Sequence, residues 1–162
     1  MEPCACWAPA PLRPQIARGV VREYLYAYAS LSPQDGALDW WIGPQLNAAR
    51  VSQYLAFLSA QHTGEEIALV WDGASAHRSQ ELVVPSNIHL IRLPPYSPRL
   101  NPVEAFWAEL REKFFHNKTF VSLDQLEQHL REKLAVIQAR TAELSHLSLY
   151  HWIEEALINV SS

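Results

Sequence analysis

The proline-rich segment 94–102, PPYSPRLNP, restricts the folding of this chain more than any other stretch. Four prolines in nine positions fix much of the backbone, so the segment predicts a stiff loop that loses little entropy on folding. Asn101 is a good helix N-cap residue and Pro102 suits the first helical position. A helix is therefore predicted to begin here, with Glu104 in its first turn.

The residues before this loop predict strands and one helix. Segment 20–31, VVREYLYAYASL, alternates as a strand, a turn follows at Pro33–Gly36, and ALDWWIG reads as the returning strand of a hairpin. The continuous apolar run IALVW, 67–71, predicts a strand covered on both faces, and 87–93 predicts another. Between the hairpin and IALVW, one apolar helical stripe consists of Val51, Tyr54, Leu55 and Leu58.

The residues after the loop predict helices. The first runs to about Phe115, and a second begins at the capping sequence Ser122-Leu123-Asp124-Gln125. The order of elements predicts an α/β fold with a mixed sheet flanked by helices. We divide the chain into an irregular entry segment at 1–14, a domain at 15–140 and a helical tail at 141–162.

Composition excludes several classes of protein. The 162 residues are 49% hydrophobic and carry a net charge of −4, which disfavours disorder and gives no general attraction to nucleic acid. No apolar run is long enough to span a bilayer, and the start lacks the pattern of a signal peptide, so a cytoplasmic protein is expected. Cys4 and Cys6 alone do not complete a zinc site.

Two acids at the ends of neighbouring elements are the candidate chemical groups. Asp72 directly follows the IALVW strand, and the carboxyl ends of strands are where chemistry collects in α/β sheets. A pair of carboxylates suits Mg²⁺ or Mn²⁺, which prefer oxygen ligands. Structural roles remain open at this point: Asp72 can cap the next turn, Glu104 can stabilise the helix start, and His77 can be a surface histidine.

The motif DGASAH at 72–77 followed by LPPYSPRLNPVEAFW at 93–107 resembles the DDE transposases. The resemblance is to the bacterial insertion-sequence branch of the mariner superfamily, also known as DDE superfamily endonucleases. It covers Trp7 to about Leu134, because WAP near the start and the YLYAYASLSPQDG hairpin also fit.

This resemblance implies an RNase H-like fold and Mg²⁺- or Mn²⁺-dependent cleavage of DNA at transposon ends, followed by strand transfer into target DNA. Asp72 matches the second acid of the catalytic triad and Glu104 the third. Both are implied to be metal ligands, with two ions expected in an intact site.

The first acid of the triad has no match. In the family it lies on the first strand, before the WAP segment, whereas Glu2 stands in a Pro/Cys-rich stretch, Asp35 in the hairpin turn and Asp39 on the next strand. The family's amino-terminal helix-turn-helix region is also absent. The sequence therefore resembles a truncated carboxyl-terminal fragment that lacks the first strand. The alternative to an active enzyme is a non-catalytic relic that keeps the fold and weak DNA or subunit binding, and the exposed sheet edge makes a homodimer an expectation.

Candidate DNA contacts lie near the two acids. A local excess of basic residues between 78 and 118 can hold phosphates, whereas Arg111 and Lys113 are better explained as part of a mixed, solvated helix face. The residues assigned to DNA contact are His77, Arg78, Tyr96, Arg99 and Asn101.

Overall fold

The computed structural model describes residues 23–71, 81–94 and 101–160, with side chains through Glu155. The entry segment 1–14, the start of the predicted first strand and the segments 72–80 and 95–100 lie outside the described residues. In the described part, the chain forms a mixed α/β fold, as the sequence predicted, and its sheets are small.

The predicted hairpin is present. Strand β1, Tyr26–Leu31, pairs antiparallel with β2, Leu38–Gly43, across a turn in which Gly36 has φ +72°. The side chains of β1 alternate: Tyr26 and Tyr28 pack on one face and Ala27 and Ala29 on the other. The hairpin thus has two covered faces, as its period-two pattern requires.

Helix α1, Ala48–Gln61, covers the tyrosine face. Its N-cap is Asn47, whose side-chain oxygen accepts a 2.9 Å hydrogen bond from the Arg50 backbone N–H. All four residues of the predicted stripe are buried. They share one hydrophobic cluster with Tyr28, Trp71 and Ile88, so α1 packs against the hairpin and against the strands that follow it.

Strand β3, Ile67–Trp71, pairs parallel with β4, Ile88–Arg92. The prediction that β3 is covered on both faces is wrong for this structure, since Ala68 is exposed and only Trp71 is buried. Within the described ranges, four strands form two two-stranded sheets, one antiparallel and one parallel. The sequence predicted the mixture of strand directions but placed the strands in a single sheet.

The helices that carry Phe106, Leu134 and Leu144 pack on the alanine face of the hairpin. Helix α2, Pro102–Leu110, continues into a π-helical turn, Arg111–Phe115, where the sequence predicted an uninterrupted α-helix. Helix α3, Leu123–Gln138, begins at the predicted Ser122 cap, and α4, Thr141–Ser148, and α5, His151–Val160, follow. Within the described ranges, none of the helices has the length and apolar character needed to cross a membrane.

The core under these helices holds the hairpin in place. Phe106 of α2, Leu134 of α3 and Leu144 of α4 belong to one cluster with Leu38 and Ile42 of β2. The Gln138 side chain donates a 2.8 Å hydrogen bond to the Leu38 carbonyl and accepts one of 3.1 Å from the Trp40 indole. The hairpin turn packs against α4, where the Ser145 hydroxyl donates a 2.7 Å hydrogen bond to the Pro33 carbonyl.

Candidate active site

A cleft of about 310 Å³ separates the two sheets. We call it the central cleft. Residues of β1, β3, α1 and the start of α2 line it, together with two residues that precede the helices. The lining residues are Ala27, Tyr28, Ala29, Ser30, Leu46, Val51, Tyr54, Leu69, Val70, Trp71, Asn101, Val103, Glu104 and Trp107. It therefore lies where the carboxyl end of β3 meets the beginning of α2.

Glu104 reaches this cleft because of the local sequence before it. The side-chain oxygen of Asn101 accepts a 3.2 Å hydrogen bond from the Val103 backbone N–H, and Pro102 occupies the first turn, as predicted. Asn101 is only 8% exposed, so the helix start is fixed against the core. With the phase of the helix set there, Phe106 and Leu110 are buried and Glu104 is exposed at the cleft.

The Glu104 carboxylate is available for a ligand. Among the described residues, none donates a hydrogen bond to it or forms an ion pair with it. A carboxylate at N3 is also favoured by the helix dipole. The structural role at the helix start and a role as a ligand are therefore compatible in the same side chain.

Asp72, the other predicted ligand, lies outside the described residues, as do His77, Arg78, Tyr96 and Arg99. Trp71 immediately precedes Asp72 and lines the central cleft together with Glu104. The structure thus brings the end of β3 and the beginning of α2 to one cleft.

The aspartates of the hairpin do not line the central cleft. Asp35 stands in the turn, where its carboxylate accepts a 3.1 Å hydrogen bond from the Ala37 N–H. A hydrogen bond with the Ser32 side chain, and next the one from Ala37, lower the pKa of Asp35. Asp39 lies on β2, and its Oδ2 is 2.8 Å from the Nε2 of His62. Among the described residues, Glu104 is the only acid that lines the cleft, and no group of three metal-binding side chains is formed.

Two tyrosines form a polar strip on the α1 side of the cleft, which the sequence did not single out. The Tyr54 hydroxyl donates a 2.7 Å hydrogen bond to the Ser30 hydroxyl, and that of Tyr28 donates one of 2.6 Å to the Gln45 carbonyl. Burial raises the pKa of both phenols. They remain neutral near pH 7 and serve as structural hydrogen-bond donors.

The basic residues near the site have mixed surroundings. The Lys113 ammonium lies 2.6 Å from the Glu109 carboxylate one turn earlier, which fits the solvated helix face that the sequence favoured for it. Arg92, at the end of β4, and Arg111 are exposed. Asn101, assigned to DNA contact from sequence, is buried and acts as the N-cap.

Comparison with known proteins identifies the family. Residues 3–127 match the family model described as DDE superfamily endonuclease. This chain belongs to the DDE superfamily endonucleases. The family acts on DNA, and its members generally use divalent metal ions.

The chain is also similar to a curated protein. The DDE endonuclease chain is 31% identical to the uncharacterized protein y4pE/y4sA of Sinorhizobium fredii (strain NBRC 101917 / NGR234). The identity is measured over 107 aligned residues, which cover 65% of this chain and 79% of the relative. No solved structure matches the chain.

Proposed function

We propose that this chain is the catalytic-domain portion of a DDE transposase of the bacterial insertion-sequence type, acting in metal-dependent DNA strand cleavage and strand transfer. The observation that supports it is the meeting of two elements at one cleft: Trp71, which precedes Asp72, and Glu104 both line it. The family membership supplies the reaction class and the DNA substrate.

Asp72 and Glu104 are the proposed metal ligands. The donor set fits a hard divalent ion, because carboxylate oxygens are what Mg²⁺ and Mn²⁺ prefer and Glu104 is accessible. When bound, a pair of such ions activates the attacking oxygen and neutralises charge on the phosphodiester. The protein's own contribution is to hold the Glu104 carboxylate at the cleft through the Asn101 cap and the buried face of α2.

The first acid of the triad is proposed to come from a strand outside the described residues. Asp35 and Asp39 form other hydrogen bonds and do not line the cleft. In an RNase H-like arrangement, a first strand would complete the sheet beside β1. A first strand in that position accounts for the two half-sheets separated by a cleft. Without the acid that it carries, we expect the chain to bind metal weakly and not to cut DNA by itself.

Metal binding tests the ligand assignment. Titration of the full chain with Mn²⁺, followed by electron paramagnetic resonance, should show binding that Asp72→Asn and Glu104→Gln each weaken about tenfold or more. Glu109→Gln is the matched control, because it changes an acid on the same helix that pairs with Lys113 and lies outside the cleft. Equal Mn²⁺ affinity in all four proteins would refute the assignment.

DNA cleavage distinguishes the active enzyme from the non-catalytic relic. The full chain alone, with Mg²⁺ or Mn²⁺, is expected not to nick supercoiled DNA. Nicking that disappears in Asp72→Ala and Glu104→Gln, and persists in Glu109→Gln, would establish an active enzyme and overturn the relic alternative. A structure with Mn²⁺ should place the Asp72 and Glu104 carboxylates within about 4–8 Å of each other, near enough to share two ions.

A further inference from the structure

Arg92 ends strand β4 at the same end of the parallel sheet as the candidate metal site. It lies opposite Trp71 in the register of the two strands, and the Leu93 N–H donates a 2.9 Å hydrogen bond to the Trp71 carbonyl. Neighbouring strands are about 4.8 Å apart. The backbone of Arg92 is therefore about one strand spacing from the residue that precedes Asp72.

The side chain of Arg92 lies beyond the apolar part of its strand. Alternation along β4 places Ile88, Leu90 and Arg92 on one face. Ile88 and Leu90 belong to the hydrophobic cluster under α1, whereas Arg92 is exposed. The apolar cover of this face therefore ends before Arg92, and the guanidinium is accessible from solvent at the carboxyl end of the strand.

Most of the other described arginines and lysines have partners on their own helix. Lys113, Arg131 and Arg140 each lie beside a carboxylate three or four residues away, at 2.6, 2.6 and 3.5 Å. Arg50 donates a 2.9 Å hydrogen bond to a glutamine side chain three residues further on. Among the described residues, the Arg92 side chain forms neither an ion pair nor a hydrogen bond. Its charge is therefore not matched within this part of the chain.

A cation at this position offsets the charge of the metal site. The carboxylates of Asp72 and Glu104 repel the phosphates of DNA, so a DNA strand that lies across them requires positive charge close by. An arginine remains protonated at every pH at which the fold exists, and its planar fork fits two oxygens of one phosphate. Contacts of this kind set the position of a DNA strand on a protein.

We propose that Arg92 binds a phosphate of the DNA backbone beside the metal site and so aligns the DNA strand with Asp72 and Glu104. The inference rests on the proposed function, from which it takes the DNA substrate and the two metal ligands. It adds a contact that requires no metal ion, because a guanidinium attracts a phosphate directly.

A different role for Arg92 would be to protect the edge of the sheet. Among the described strands, β4 is bonded to β3 alone, and a charge on an edge strand hinders pairing between molecules. If this were its whole role, Arg92→Gln would increase self-association and leave DNA affinity unchanged.

DNA binding tests the proposal. The full chain is titrated into a short fluorescent DNA duplex with EDTA present, at salt concentrations from about 50 to 200 mM, and binding is followed by anisotropy. Arg92→Gln should weaken binding about five- to tenfold at the lowest salt and reduce the slope of log affinity against log salt by about 1. Arg92→Lys keeps the charge and should restore the slope, with only part of the affinity.

Arg131→Gln is the matched control, because Arg131 is an exposed arginine on α3 that already pairs with Glu127. It should change neither the affinity for DNA nor the slope. Amide hydrogen exchange locates the contact: DNA should slow exchange at 88–92 in the wild type, and to a smaller extent in Arg92→Gln.

Three outcomes would overturn the proposal. The first is absence of DNA binding by the wild type at low salt. The second is equal affinity and slope in Arg92→Gln and the wild type, with or without increased self-association. The third is an equal loss in Arg92→Gln and Arg131→Gln, which would show a general effect of charge. Since EDTA removes the metal from every arm, failure of this contact is distinguishable from failure of the metal-site assignment.

Discussion

His62 Nε2 lies 2.8 Å from Asp39 Oδ2, so the residue that ends α1 is bonded to the strand β2 beneath it. The Nδ1 of the same ring is 3.0 Å from the Glu65 carboxylate. The hydrogen bond with Asp39 is the main cause that raises the pKa of His62 above its ordinary value of 6.5. Burial opposes it with a smaller effect, and the hydrogen bond with Glu65 adds a further increase.

The first prediction concerns this contact and pH. A raised pKa in the folded state means that protonated His62 stabilises the fold fully below about pH 6.5 and that this contribution is lost as pH rises through the higher, folded-state pKa. The free energy of unfolding, measured with urea from pH 5.5 to 8.5, should therefore exceed that of His62→Gln by about 1 kcal/mol at low pH and converge with it at high pH.

The control is His89→Gln. His89 pairs with Glu66 at 2.7 Å, but both side chains are more than half exposed, so its loss should change stability little at any pH. A difference between wild type and His62→Gln that does not vary with pH would show that the histidine acts by packing alone.

The second prediction concerns the Asn101 cap. Asn101→Ala should lower the free energy of unfolding by about 1 kcal/mol and also weaken Mn²⁺ binding, because the first turn that carries Glu104 loses its fixed start. Ser122→Ala removes the equivalent cap of α3, whose oxygen accepts a bond from the Gln125 N–H. It should cost similar stability with unchanged Mn²⁺ binding, and an equal effect of both variants on the metal would argue against a special role for Asn101.

The third prediction compares two glycines with positive φ. At Gly36 an added Cβ would lie 1.8 Å from the Thr141 carbonyl oxygen, whereas at Gly64 it would meet nothing within 4 Å. Gly64→Ala should cost about 1–2 kcal/mol, from backbone strain alone. Thermal unfolding should show a larger loss for Gly36→Ala, since the hairpin turn must also separate from α4. Equal losses would contradict the close contact.

The fourth prediction tests the core under the hairpin. Leu134 is fully buried between β2 and the helices, so Leu134→Ala should cost about 2–5 kcal/mol in urea unfolding. Val136, on the same helix, is 44% exposed, and Val136→Ala should change stability by no more than about 0.5 kcal/mol. A small loss for Leu134→Ala would place the core elsewhere.

Local signals in the sequence predicted the elements and the position of Glu104. The α1 stripe is buried as its spacing required, and the Asn101 and Ser122 caps begin their helices. These features depend on residues within about one turn of each other, which is the range over which side-chain patterns act.

Features that depend on distant contacts were not predictable in the same way. The apolar run of β3 indicated a strand that is covered on both faces. An apolar pattern does not say which residues provide the cover, and Ala68 is exposed in this structure. The π-helical turn at Arg111–Phe115 was missed because its apolar spacing still resembles that of an α-helix. The role of Asp72 and the domain limits at 14 and 140 stay predictions.

The packing of α4 has a consequence for the smallest part of this chain that can fold. The match to the family model ends at residue 127, within α3, yet Leu144 and Ser148 of α4 are buried and the hairpin turn rests on that helix. The minimal folding unit is thus longer than the segment by which the family is recognised. A fragment cut at the end of the recognisable segment would retain Glu104 but lose the surface that supports the strands beside it.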